Sequence, residues 1–268
     1  MDARPLEITS LTKVFDTPSG PMTVVKNFDT RIRAGEFVAL LGHSGCGKST
    51  VLSIIAGLQQ ATLGGVVLDG REVTEPGLER AFVFQSPSLL PWMSALDNVL
   101  LAIKQVHPSL TSSKQRALAQ QYLDLVGIGE YADQWPAELS QGTQQRVAIA
   151  RALSQEPRFL LLDEPFGMLD SLTRFELQDL LVSLWESDHK TVVMVTHDID
   201  EALYLCDRII LMTNGPEARV GLDLTVDIPR PRNRHSTTSH PVYMKLRTII
   251  IAFLESHSKQ FATEAPPI

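Results

Sequence analysis

The sequence predicts an α/β fold, in which a mainly parallel sheet carries helices on both faces and is interrupted by a helical insertion. Three observations lead there. Short apolar runs bounded by turn residues alternate with stretches of helical spacing, the pattern of repeated β-α-β units. A glycine-rich loop joins the apolar run at 37–41 to the first such helical stretch. From residue 87 to 154 the strand-like runs stop and helical spacing takes over.

Residues 8–15 and 37–41 read as strands, being β-branched and apolar between turn signals. Residues 48–57 place apolar side chains at Val51, Leu52, Ile54 and Ile55, which suits a buried helix. Residues 66–68 and 81–84 read as further strands. Helical spacing follows at 96–106, 114–126 and 141–153. Buried-strand character returns at 159–162 and 191–196, with a helix at 171–185 between them. A short helix at 200–205 leads to a strand at 208–212. After Asn214 the composition shifts. Residues 228–254 contain no acid, yet carry Arg230, Arg232, Arg234, Lys245 and Arg247. This basic stretch reads either as a surface for anionic lipid or a partner subunit, or as a solvated, weakly ordered tail.

Bulk properties exclude several classes. The 268 residues suit one large α/β domain with an inserted subdomain, or two small domains. A net charge of −7 argues against a nucleic-acid partner. The two cysteines, Cys46 and Cys206, are too few for a disulfide framework and fit a reducing compartment. The most apolar run near the C-terminus, 248–254, falls far short of the ~20 residues of a spanning helix. Residues 1–10 lack the apolar stretch of a secretory signal. The chain is therefore expected in the cytosol, and any transport role needs other chains to cross the membrane.

Gly42, His43, Ser44, Gly45, Cys46, Gly47, Lys48 and Ser49, followed by Thr50, fit the pattern G-x-x-x-x-G-K-[ST] between a strand and a helix. Small residues let successive backbone N–H groups converge on phosphate oxygens, and the helix N-terminus adds partial positive charge. Lys48 is expected to reach the β- and γ-phosphates of ATP, and Ser49 to ligate Mg²⁺. Cys46 has two readings, a redox-sensitive thiol or a small residue that fits the loop.

The apolar run 159–162 ends in Asp163 and Glu164. A strand buried on both faces is continuously apolar, and its C-terminal end lies where such sheets bind ligands. Asp163 is expected to join the Mg²⁺ shell and Glu164 to orient or deprotonate the attacking water.

Further residues carry a family resemblance. Leu139-Ser140-Gln141-Gly142-Thr143 resembles the signature LSGGQ of ABC ATPases, just upstream of the acidic strand. Gln85 looks like their Q-loop glutamine, residues 166–170 like their D-loop, His197 like their switch histidine, and Phe15 like the aromatic residue that stacks on adenine. The resemblance covers residues 6–213. It implies a P-loop NTPase (RecA-like) ABC ATPase core at 1–86 and 156–215, a helical signature subdomain at 87–155, and a C-terminal extension at 216–268. It also implies head-to-tail pairing of two such subunits. Ser140, Gln141 and Gly142 would meet ATP bound by the partner chain, Gln85 would touch the metal, and His197 would hold the γ-phosphate. The departures are Gln141 for a glycine and Thr143 for the final glutamine. A side chain at position 141 could crowd a close backbone approach to phosphate.

Residues 88–92 resemble the importers of nitrate, sulfonate, taurine and bicarbonate, and 212–216 with 229–234 look most like nitrate and bicarbonate ATPase subunits. The resemblance implies ATP-driven uptake of a small anion, nitrate first, at the cytoplasmic face of the inner membrane. The implied partners are a longer homologous ATPase chain or a second copy, membrane-spanning permease subunits and a substrate-binding protein. The competing reading is a soluble ABC ATPase in repair or translation. The stretch from Ser49 to Asp163 is short for the long coiled coil such proteins usually carry, and a single P-loop is present. A non-catalytic binding subunit would not need Glu164.

Overall fold

The computed structural model describes residues 5–258. The first residues of the stretch read as lacking a secretory signal, 1–4, and the end of the predicted extension, 259–268, lie outside the described residues. In chain order the elements are β1 (Leu6–Thr17), β2 (Gly20–Ile32), β3 (Phe37–Leu41), α1 (Lys48–Ile55), β4 (Leu63–Leu68) and β5 (Arg71–Glu72). Next come β6 (Arg80–Val83), α2 (Ala95–Val106), α3 (Ser112–Leu125), α4 (Gln141–Leu153), β7 (Phe159–Asp163) and α5 (Ser171–Asp188). The chain ends with β8 (Thr191–Thr196), α6 (Ile199–Leu205), β9 (Arg208–Met212), β10 (Val220–Thr225), α7 (Arg234–Thr238) and α8 (Pro241–Ser258). The residues form two compact units, one running to Pro76 and resuming at Thr191, the other spanning Gly77–Lys190.

In the first unit β3 pairs in parallel with β8 and β9, and β10 adds an antiparallel edge beside β9. All five residues of β3 and all six of β8 are buried. Their continuous apolar runs are what a doubly covered parallel sheet requires, and both ranges match the sequence expectation. A separate antiparallel sheet has the order β2-β1-β4-β5. The sequence did not announce β2 or β10. Only Val25, Phe28 and Ile32 of β2 are buried, and β10 alternates half-buried with exposed. Strands that face water on one side carry a weak apolar signal.

The basic C-terminal stretch is corrected by the structure: its described part is folded, not a loose tail. Arg230, Arg232 and Arg234 converge on the C-terminal end of α6. Arg232, with a side chain only 1% exposed, donates from Nη1 to the carbonyls of Leu203, Tyr204 and Cys206. Its Nε and Nη2 reach the carbonyls of Ile228 and Val226. Arg230 pairs with Asp207 at 2.9 Å and donates to the Leu205 carbonyl. Arg234 lies over the Tyr204 ring at 4.5 Å. The last carbonyls of a helix have no partner within it and carry partial negative charge, so arginine forks suit them. Downstream, α8 buries Tyr243, Leu246 and Ile250 at helical spacing.

In the second unit β6 pairs in parallel with β7, and α2, α3 and α4 pack together. The extended Ser94 starts α2 by accepting the Asp97 N–H at 3.1 Å. Asp170 caps α5 through the N–H groups of Leu172 and Thr173. The Thr173 hydroxyl first, then those backbone bonds, favour its charged form and hold its carboxyl below the ordinary value.

Candidate functional site

In the first unit, β3 delivers the glycine-rich loop and α1 leaves it at Lys48. Gly47, the N-cap, sits at φ 93, and a Cβ there would lie 2.7 Å from Val25 Cγ2. Only glycine accepts both constraints. Lys48 is buried, and its ammonium donates to the carbonyls of Gly42 and His43, each at 2.8 Å. The charge is thereby held inside the curl of the loop, where no acidic residue occupies the first turn of α1 to cancel the helix field. Ser49 and Thr50 form the start of α1. Ser44 and Gly45 are exposed at the loop tip, and Gly45 has φ 79. Cys46 is 1% exposed, and burial raises its thiol pKa. That favours the packing reading over a reactive thiolate.

His197 follows β8 directly and is exposed. Its neighbours are tightly bonded. Thr196 donates its hydroxyl to the buried Glu201 carboxylate, and the Asp198 N–H donates to Thr196 Oγ1 at 3.0 Å. Asp198 caps α6 by accepting the Glu201 N–H at 3.0 Å. The chain on both sides of His197 is therefore fixed. Phe15 lies on β1 opposite Met22, half-buried, with Lys13 Nζ 4.9 Å from its ring centre. A face that already attracts a cation is electron-rich.

In the second unit the structure joins two residues predicted separately. The Gln85 side-chain amide donates from Nε2 to Glu164 Oε2 at 3.2 Å. Asp163 closes β7, and Glu164 follows it at φ 43. A left-handed conformation in a residue other than glycine is uncommon and costs about 1 kcal/mol or more. It is held here by a turn in which the Gly167 N–H donates to the Glu164 carbonyl at 3.1 Å. Gln85 gives its nitrogen to Glu164, which leaves its oxygen for other contacts. The metal residues predicted in this unit, the Asp163 carboxylate and the Gln85 carboxamide oxygen, are both oxygen donors. Such a donor set fits Mg²⁺, which retains several waters.

The signature stretch starts α4. Ser140 is the N-cap, its Oγ accepting the Thr143 N–H at 3.1 Å. Gln141 occupies the first helical position with an exposed side chain. Thr143, one of the two departures, places its hydroxyl 2.9 Å from Ser140 Oγ. Gly142 is buried against α5, where a Cβ would come within 2.4 Å of Thr173 Cγ2.

Residues the sequence did not flag tie α4 to the loop after β6. Arg151 donates to the carbonyls of Ser88 and Pro87 at 3.0 and 3.1 Å, and Gln145 to that of Phe84 at 3.5 Å. Burial lowers the pKa of Arg151, and the two carbonyls solvate its charge in place of water. No periodic signal could reveal them, because the partners lie more than sixty residues away in sequence. Arg151→Ala removes two charged hydrogen bonds, worth about 3 kcal/mol together. Amide exchange at residues 85–90 is expected to rise at least about tenfold. Unchanged exchange there would show that the loop is held by other means.

Residues 25–167 match the ABC transporter family. The nitrate import ATP-binding protein NrtD of Synechococcus elongatus is 50% identical over 242 residues, 90% of this chain and 88% of that protein. The bicarbonate transport ATP-binding protein CmpC of Synechococcus elongatus is also 50% identical, over 88% of this chain but 35% of its own length. Among solved structures, a dimeric ATP-binding cassette in a post-hydrolysis state, bound to ADP and Pi, matches with TM-score 0.76 and 35% identity. That match covers 84% of this chain and 100% of the other. On this likeness, and on the P-loop, signature and acidic strand end described above, the chain belongs to the ABC transporter family, among its ATP-hydrolysing subunits.

Proposed function

We propose that this chain powers uptake of a small inorganic anion, nitrate first, as a peripheral subunit at the cytoplasmic face of the membrane. The observation that carries the substrate is the 50% identity to a nitrate import ATP-binding protein along nearly the whole of both chains. Equal identity to a bicarbonate transport protein favours bicarbonate as the second reading. No helix among the described residues is long and apolar enough to cross a membrane, so permease subunits would supply the path. A second ATPase subunit, this chain or a longer homologue, would complete the pair. A repair or translation role has less support. The helices between β6 and β7 reach only 14 residues in α3, far from a long coiled coil.

Roles follow motif position. Residues 42–50 cradle the phosphates, with Lys48 supplying the charge. Ser49, Asp163 and Gln85 would hold Mg²⁺, which would supply charge neutralisation at the phosphates. The Glu164 carboxylate accepts the proton of the attacking water while Gln85 holds Oε2 in place. His197 holds the γ-phosphate, Phe15 stacks on adenine, and Ser140 with Gly142 meets nucleotide on the paired subunit.

The test is ATP hydrolysis by the complete complex in proteoliposomes, with nitrate, bicarbonate or taurine presented to the binding protein. Stimulation by nitrate alone is expected. Stimulation by another anion would replace the substrate and keep the mechanism. Steady hydrolysis indifferent to all three would overturn the importer reading.

A further inference from the structure

We propose that helix α8 is part of the support of the nucleotide site, and that His43 is the positioning residue through which α8 sets the phosphate loop. The proposal rests on the reading of residues 42–50 as that loop. His43 Nε2 lies 2.9 Å from the carbonyl oxygen of Leu254, near the C-terminal end of α8. A carbonyl only accepts, so Nε2 carries a proton and donates it to Leu254. The backbone carbonyl of the same His43 accepts from Lys48 Nζ at 2.8 Å. One residue therefore connects the helix end to the ammonium that is to meet phosphate.

That helix end is itself immobilised. Asn214 Nδ2 donates to the carbonyl of His257, one of the terminal carbonyls that lack a helical partner. The Phe253 ring packs on the backbone of Gly221 in β10, where a Cβ would sit 2.4 Å from it. Phe253 also stacks on His257 with ring centres 4.1 Å apart. The other end of α8 reaches the element that follows His197. Tyr243 Oη and Arg247 Nε both donate to Asp200 Oδ1 in the first turn of α6, at 2.7 and 2.8 Å. One helix thus braces two of the segments assigned to the γ-phosphate. The C-terminal extension is structural equipment of this site, not an appendage to it.

The measurement is ATP affinity and turnover of the full-length chain. His43→Leu removes the ring N–H and is expected to raise KM for ATP about five- to tenfold, the value of one net hydrogen bond. His43→Gln retains an N–H donor and should recover most of the affinity. Phe253→Ala loosens the helix end away from the loop and should weaken ATP in the same sense. The double variant His43→Leu with Phe253→Ala should be no weaker than the poorer single one, because both break a single path. Wild-type affinity in His43→Leu overturns the proposal, as does strict additivity in the double variant. Should His43→Leu fail to fold, Phe253→Ala decides alone, and wild-type ATP affinity in that variant overturns the proposal. Lys48→Ala separates the two readings. Its loss of nucleotide with His43→Leu unaffected removes only the helix proposal, while wild-type binding by Lys48→Ala removes the phosphate-loop assignment itself.

Discussion

Glu164→Gln is expected to lower kcat for ATP hydrolysis about 10²- to 10⁴-fold while nucleotide affinity stays within about twofold. The magnitude is that of a general base removed from a reaction it serves. The substitution is close to isosteric. The new amide can still accept the Gln85 N–H through its oxygen, so the 3.2 Å contact that orients position 164 survives. What disappears is the lone pair that takes the proton from water. The left-handed backbone at φ 43 is unaffected, since glutamine tolerates it no worse than glutamate. Single-turnover hydrolysis separates the two effects, because it reads the chemical step without product release. A single-turnover rate equal to that of the unaltered protein would show that the proton leaves by another route.

Arg232→Met should destabilise the fold by about 3–5 kcal/mol, the scale of breaking a buried charged network by removing one member. The methionine fills much of the space, so the loss is almost wholly polar. The carbonyls of Leu203, Tyr204, Cys206 and Ile228 lose the donor they share, while that of Val226 keeps the Ile228 N–H, and a buried acceptor left without a donor costs about 1–3 kcal/mol. For a protein of this size the expected fall in Tm is roughly 6–20 °C. Arg232→Lys should rescue little, because one ammonium with three protons cannot span carbonyls that a planar fork reaches from three nitrogens. A thermal melt within about 2 °C of the unaltered protein would mean that the carbonyls find water instead.

The same residues show what the sequence could and could not announce. β3, β8 and β9 were legible to the residue, because strands covered on both faces leave unbroken apolar runs. The glycine-rich loop was legible from spacing alone, since phosphate chemistry restricts residue type at nearly every position. Asp163 and Glu164 stood out because carboxylates end an otherwise apolar strand. β2 and β10 were not legible, because a half-solvated strand needs only a few apolar side chains. The acid-free stretch at 228–254 was misleading for a different reason. Its arginines answer helix-end carbonyls and the acids Asp200 and Asp207, all earlier in the chain. Composition within a window records the donor and omits the acceptor. Gln145 and Arg151 were hidden likewise, since their partners are backbone atoms of a distant loop.

Those last two residues have a thermodynamic consequence. The helix that begins at Ser140 and the loop after β6 share hydrogen bonds, so their displacements share a free energy. Such a coupling is reciprocal. Were a permease to shift the carbonyls of Pro87 and Ser88, as the proposed function has it, it would alter the affinity of the signature end for phosphate by some factor. Phosphate arriving at Ser140 would then alter the hold on the permease by the same factor. The bonds of Arg151 do not encode which event is the cause. In a working transporter that direction would come from the order in which ATP and the loaded binding protein arrive.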